Sequence, residues 1–116
     1  MSDDEATVVP EVDLDDFEAA WRDGAAVLDV RNPEEYLEKH VPGAVLVPMH
    51  ELGARLDEVP EARPLYVICA RGSRSRSVAE AMRLQLGWNV MNVSAGTEGW
   101  ADSGRPVAAG PDPGLR

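Results

Sequence analysis

The chain's one cysteine, Cys69, closes an apolar run, Leu65-Tyr66-Val67-Ile68. It is followed at once by Ala70-Arg71-Gly72-Ser73-Arg74-Ser75 and then by a helical pattern. A thiol at a strand end, just ahead of a helix, is well placed to ionise. The helix start offers unpaired N–H groups and partial positive charge. Arg71 and Arg74 add full charges. All of these favour the thiolate, which is the reactive form of cysteine. Gly72 tolerates positive φ and lets successive N–H groups curl inward into an anion-holding nest. Ser73 and Ser75 offer hydroxyls, with Ser75 the better candidate for a helix cap. Arg74 can aim its planar fork inward or form a surface salt bridge. The bland reading of Cys69 is a small buried hydrophobe; its place before a Gly-Ser-Arg loop argues for a nucleophile.

These residues need a scaffold, and 116 residues with 44% hydrophobic content predict one folded domain. No apolar run approaches the roughly 20 residues of a membrane span. The acidic start does not read as a signal peptide. One cysteine rules out an intrachain disulfide framework, and one Cys with two His gives no metal site. A cytoplasmic protein is the expectation. The net charge of −10 argues against nucleic acid as a partner. Residues 1–18 hold eight of the 21 acidic residues and no basic one. The rest is near neutral, and residues 69–76 carry three arginines and no acid. That local cationic spot points to a small anion. The acidic start reads as a solvated tail and helix face.

Residues 1–7 read as a disordered acidic start, 8–107 as the domain, and 108–116 as a flexible Gly/Pro-rich tail. Val8-Val9 could open a first strand. Asp13 is a good N-cap, with Leu14, Phe17 and Trp21 on one helix face and Gly24 after it. Ala26–Val30 reads as a strand buried on both faces. Asn32-Pro33-Glu34-Glu35 starts a second helix. Ala44–Val47, Leu65–Ile68 and Val90–Val93 read as further strands. Leu52, Leu56 and Val59 mark a helix ending by Pro60. The strongest helix runs from Ser75 to Leu86, with Val78, Met82 and Leu86 on one face. A short helix lies near Thr97–Asp102. Strands alternating with helices imply an α/β fold: a three-layer sandwich whose five-stranded, mostly parallel sheet carries helices on both faces. Ligands in such folds sit at strand carboxyl ends. Asp29-Val30-Arg31 and Ile68-Cys69 are both such ends.

Three segments together resemble the single-domain rhodanese family of sulfurtransferases, over about residues 8–107. They are Leu28-Asp29-Val30-Arg31 with Glu35-Tyr36 and His40-Val41-Pro42-Gly43-Ala44; the Cys69–Ser75 loop; and Asn92-Val93-Ser94-Ala95-Gly96 with Trp100 and Gly104-Arg105-Pro106-Val107. Ala95 departs from a glycine common in the family. The resemblance implies a Cys69 persulfide, formed from thiosulfate or a related donor and discharged to a thiol or cyanide. The loop, Ala70 to Ser75, would bind the sulfur. No metal or organic cofactor is implied. Arg71 stands at a position where thiosulfate-using members often carry a positive charge. By resemblance Asp29 accepts backbone hydrogen bonds, Arg31 pairs with a carboxylate such as Glu35, and His40 is structural; Trp100, which follows the final strand, walls the pocket or packs.

Two other readings stand beside the enzyme. One is a carrier module that takes sulfur from a partner protein. The other is a phosphatase or arsenate reductase on the same fold. Four residues separate Cys69 from Arg74, whereas those relatives place five, so the loop here suits one sulfur atom. With no second cysteine, the acceptor must be external: a small thiol, a thioredoxin-like protein or cyanide. Nothing beyond size bears on oligomeric state, and a monomer is the expectation.

Overall fold

The computed structural model describes residues 8–116; the expected disorder of residues 1–7 lies outside them. Among the described residues, five strands form one sheet: β1 (Glu11–Val12), β2 (Ala26–Asp29), β3 (Val45–Leu46), β4 (Leu65–Ile68) and β5 (Val90–Val93). Their order is β1-β5-β4-β2-β3, and every pairing is parallel. β4 lies at the centre, with Asp29 opposite Ile68 on β2 and Val67 opposite Asn92 on β5.

Side chains of successive strand residues point to opposite faces, so each strand feeds two cores. Leu28, Leu65, Val67 and Val90 pack with Val78 and Ala79 of helix α3 (Ser73–Ala81) and with Met82 just beyond it. Val27, Ile68 and Val93 pack on the other face. There they meet Phe17 and Trp21 of α1 (Leu14–Arg22), Tyr36 of α2 (Pro33–Glu38) and Trp100 of α4 (Gly96–Asp102). This is the three-layer α/β arrangement expected. Among the described residues, no helix is long and apolar enough to cross a membrane.

The caps behave as their residue types dictate. Asp13 Oδ1 accepts from the Asp16 N–H at 2.8 Å. Glu35 reaches back to the Asn32 N–H at 3.0 Å. Four expectations need correction. The first strand lies at Glu11–Val12, because Val9 is instead buried in the core beneath it. The segment after β3 forms two 3-10 turns, Met49–Ala54 and Leu56–Glu58. It is confined between Pro48 and Pro60, too short to repay helix nucleation. Helix α3 starts at Ser73, two residues early, because Gly72 at φ +97° turns the chain straight into it. It then widens into a π turn over Met82–Leu86. The extra residue in that turn keeps Met82 buried but carries Leu86 off the apolar face, leaving it 40% exposed.

The tail differs from a loose appendage. Ala108 and His40 exchange backbone hydrogen bonds, and the Pro113 carbonyl accepts from the Gly43 N–H. Arg116 donates to the Trp21 carbonyl at 2.7 Å. The buried His40 ring lies 2.8 Å from the Tyr36 carbonyl through Nδ1, and 3.0 and 3.1 Å from the Asp112 and Pro113 carbonyls through Nε2. It stacks on Tyr36 at 3.6 Å. Buried polar groups need partners, and here the ring finds them in the tail.

Candidate active site

β4 ends in the middle of the sheet, and two ties hold the chain just beyond it. The Cys69 carbonyl accepts from the Thr97 N–H at 2.8 Å, and the Ala70 carbonyl from the Glu98 N–H at 3.0 Å. The start of α4 therefore clamps the loop base. The packing demands glycine: a Cβ on Gly96 would strike the Ala70 carbonyl, and one on Gly72 would strike the Ser94 carbonyl. Ala95 sits at φ −77° in ordinary helical space, so a glycine is not needed there.

The loop closes over the sulfur. Cys69 is fully buried. Its Sγ receives the Gly72 N–H at 3.1 Å and lies 3.3 Å from the Ser75 hydroxyl. Burial pushes the thiol pKa up. The Ser75 hydroxyl and the N–H groups of Ser75, Gly72 and Arg71 outweigh that and hold it below the ordinary value. Among the described residues, the Gly72 N–H is the one backbone N–H that makes a hydrogen bond to the sulfur. Ser75 is not the cap. It lies inside α3, fully buried, because the helix begins earlier at Gly72. Ser73 is exposed, and its hydroxyl makes no hydrogen bond to the sulfur.

The arginines separate. Arg74 does not aim its fork at the sulfur; it grips Glu35 of α2 with two bonds, 2.8 and 2.9 Å. That guanidinium holds the Glu35 carboxyl down at about 2. Arg31 in turn does not use Glu35. It binds Asp29 through Nε and Nη2 at 3.0 and 2.9 Å, and donates to the Lys39 carbonyl at 2.7 Å. Asp29 also accepts the Arg31 N–H at 3.0 Å, the backbone role expected of it. Arg76 pairs with Glu11 at the surface. Arg71 is exposed, and among the described residues it has no hydrogen-bonding or ion-pair partner.

Trp100 is not a pocket wall. It is fully buried, edge-on to Phe17 and Trp21 with centroids 5.3 and 5.1 Å apart, and its Nε1 donates to the Pro106 carbonyl. His40 lies with the tail, both ring nitrogens engaged. Two residues that sequence reasoning passed over sit behind the loop. Asn92 of β5 accepts from the Ser75 hydroxyl at 2.5 Å, and its Nδ2 donates to Glu11 at 2.8 and 3.0 Å and to the Gly72 carbonyl at 3.1 Å. A polar residue inside an apolar strand run, next to the one that carries Cys69, was the available signal.

A thiol that accepts a loop N–H at a central strand end of a parallel α/β sheet defines the kind of site. The family described as Rhodanese-like domain matches residues 13–103. The chain belongs to that family. It is 36% identical over 101 residues to a Bacillus subtilis (strain 168) protein named "Putative sulfur carrier protein YrkF", covering 85% of this chain and 55% of that one. The chain thus spans about half of YrkF's length. It is 31% identical over 104 residues to a sulfurtransferase of Allochromatium vinosum, covering 88% of this chain and 97% of that one. Thiosulfate sulfurtransferase GlpE of Actinobacillus pleuropneumoniae serotype 3 is 33% identical over 91 residues, covering 78% and 84%. The crystal structure of a rhodanese-related protein from Thermoplasma volcanium superposes with a TM-score of 0.75 at 29% identity, covering 85% of this chain and 97% of that one.

Proposed function

We propose that this protein is a sulfurtransferase in which Cys69 carries sulfur as a persulfide, with thiosulfate or a similar anion as donor and a thiol or cyanide as acceptor. The observation that carries the reading is the Cys69 sulfur accepting the Gly72 N–H at 3.1 Å, with the exposed Arg71, which has no partner among the described residues, in the same loop. The Cys69 thiolate attacks the outer sulfur of thiosulfate. A new S–S bond forms, the old one breaks, and its electron pair leaves with sulfite. The nest N–H groups then hold the anionic terminal sulfur. Cyanide takes that sulfur, giving thiocyanate and restoring the thiolate. Arg71 supplies the charge that draws the dianionic donor, since Arg74 is neutralised by Glu35. Ala70, Gly72 and Ser73 shape the loop, Ser75 and the loop N–H groups bind the sulfur, and Asp29, Arg31, His40 and Trp100 support it. The likeness to the thiosulfate sulfurtransferase GlpE supports the choice of donor.

The name of YrkF favours a second reading, a module that receives persulfide sulfur from a partner protein. Cys69 chemistry is the same in both. The test is thiosulfate:cyanide sulfur transfer by wild type and Cys69→Ala, with intact mass recorded after thiosulfate alone. Thiocyanate lost in the variant, and a one-sulfur mass gain on wild type only, are expected. No turnover and no mass gain would overturn thiosulfate as donor and put the carrier reading first. Turnover of aryl phosphates, lost in Cys69→Ser, would overturn both.

A further inference from the structure

The Ser75 hydroxyl has one proton and two acceptors. It lies 2.5 Å from Asn92 Oδ1 and 3.3 Å from Cys69 Sγ. A hydroxyl donates one hydrogen bond, so the two claims compete. The orientation of Asn92 decides the competition, and that orientation is held from behind. The other side of its amide faces only acceptors: both Glu11 carboxylate oxygens and the Gly72 carbonyl. A carboxylate and a carbonyl cannot donate, so Nδ2 must lie on that side and Oδ1 must face Ser75. The Glu11 carboxylate is itself steadied by Arg76 at 3.0 Å. Asn92 and Ser75 are both buried, so water does not relieve the conflict.

We infer that Asn92 is a positioning residue that holds the Ser75 proton away from the Cys69 sulfur, with Glu11 and the Gly72 carbonyl locking its amide in that sense. The resting thiol then donates to Ser75 Oγ while Ser75 donates to Asn92. When Cys69 ionises, the Ser75 hydroxyl turns to the sulfur and Asn92 Oδ1 loses its donor. The loss of a buried hydrogen bond thus opposes thiolate formation, and the Gly72 N–H is left as the sulfur's constant partner. In this arrangement β5 and β1, elements remote from the loop in sequence, set how readily Cys69 reacts. The inference rests on the proposed role of Cys69 only for its functional meaning; the proton competition itself is a property of the thiol.

The test is the pH dependence of Cys69 alkylation by iodoacetamide in the intact chain, for wild type, Asn92→Leu, Asn92→Asp and Ser75→Ala, with folding checked by circular dichroism. Asn92→Leu removes the competing acceptor at similar size. Its alkylation midpoint should fall by about one pH unit, the size expected for one buried acceptor left without its donor. Below the midpoint, the thiolate fraction is then about tenfold that of wild type, and alkylation is faster by somewhat less, because a less basic thiolate is a weaker nucleophile. Asn92→Asp keeps an acceptor and adds negative charge, so its midpoint should rise. A purely packing role would not move the two in opposite directions. In a Ser75→Ala background, Asn92→Leu should shift the midpoint by less than a third of its effect in wild type. An equal shift in that background, or a shift of Asn92→Leu upward, would overturn the inference. If Asn92→Leu does not fold, Asn92→Asp decides alone: a midpoint at or below that of wild type would overturn it. Failure of the functional reading reads differently, as wild-type protein that alkylates as described but gains no sulfur from thiosulfate.

Discussion

Two strand ends lie side by side at the same edge of this sheet, and they spend their charges differently. At the end of β2, Asp29 and Arg31 are both buried and bind each other, with a second Nη2 hydrogen on the Lys39 carbonyl. The two charges there are spent on each other. At the end of β4, the Cys69 sulfur meets one N–H at 3.1 Å, a hydroxyl with divided loyalty, and an arginine with no partner among the described residues. The first end is a brace; the second is a site with binding capacity in hand. Strand position alone would treat them alike, since both are carboxyl ends, where ligands of such sheets bind. What separates them is whether the polar groups have already satisfied one another.

The sharpest way to break that contrast is to unbalance the brace. Asp29→Ala leaves the Arg31 charge buried without its partner, and should cost about 3–5 kcal/mol. Urea unfolding would measure it; a loss below about 1 kcal/mol would mean that the pair is not the brace described. Next in size is Gly72→Ala. It forces a side chain into left-handed backbone and against the Ser94 carbonyl, at a cost of about 1–3 kcal/mol. The penalty falls on the loop, so sulfur transfer should drop at least tenfold even at temperatures where the variant stays folded. Transfer at the wild-type rate would show that the loop geometry is not what activates the thiol.

Arg71→Ala addresses the other end. It should leave stability within about 0.5 kcal/mol, as at an exposed position with no partner among the described residues. The thiosulfate KM should rise several-fold, with the acceptor step little changed. Unchanged thiosulfate kinetics would remove Arg71 from donor binding. The smallest effect belongs to the half-exposed pair between α2 and the loop. Glu35 is held at about 2, below its ordinary value of 4.5, chiefly by Arg74. Its contribution to stability is therefore present above pH 4.5 and is lost as the pH falls toward 2. Glu35→Gln should flatten the wild-type loss of stability across that window. A variant with the wild-type acid slope would show that Arg74 is not held through Glu35.

The loop and its surroundings also show where sequence reading stops. Cys69, the strand before it and the nest glycine were readable, because a thiol after an apolar run and before a Gly-Ser-Arg stretch has few other uses. The two helix caps at Asp13 and Asn32 were readable for the same local reason: their partners lie three residues away. The arginine pairings were not. Arg74 meets Glu35 across 39 residues, and Arg31 turns back to Asp29 instead. A long side chain chooses among carboxylates by distance in space, which spacing along the chain does not encode. Ser75 reads as a cap because it stands where a helix-start serine should. The positive φ of Gly72 moved the start two residues earlier and left Ser75 inside.

What local chemistry dictated, then, was the parallel α/β layering, the nucleophile's position and the turn beneath it. Those follow from the period of apolar residues and from properties that single residue types carry with them. Which polar groups meet was decided by the packed sheet. Placing β5 beside β4 and β1 beside β5 brings Asn92 and Glu11 behind Ser75, and folding 108–116 over α2 gives His40 its carbonyls. A hydrogen bond needs its two atoms within about 3 Å, and between residues 60 or 80 positions apart only the assembled fold can set that distance.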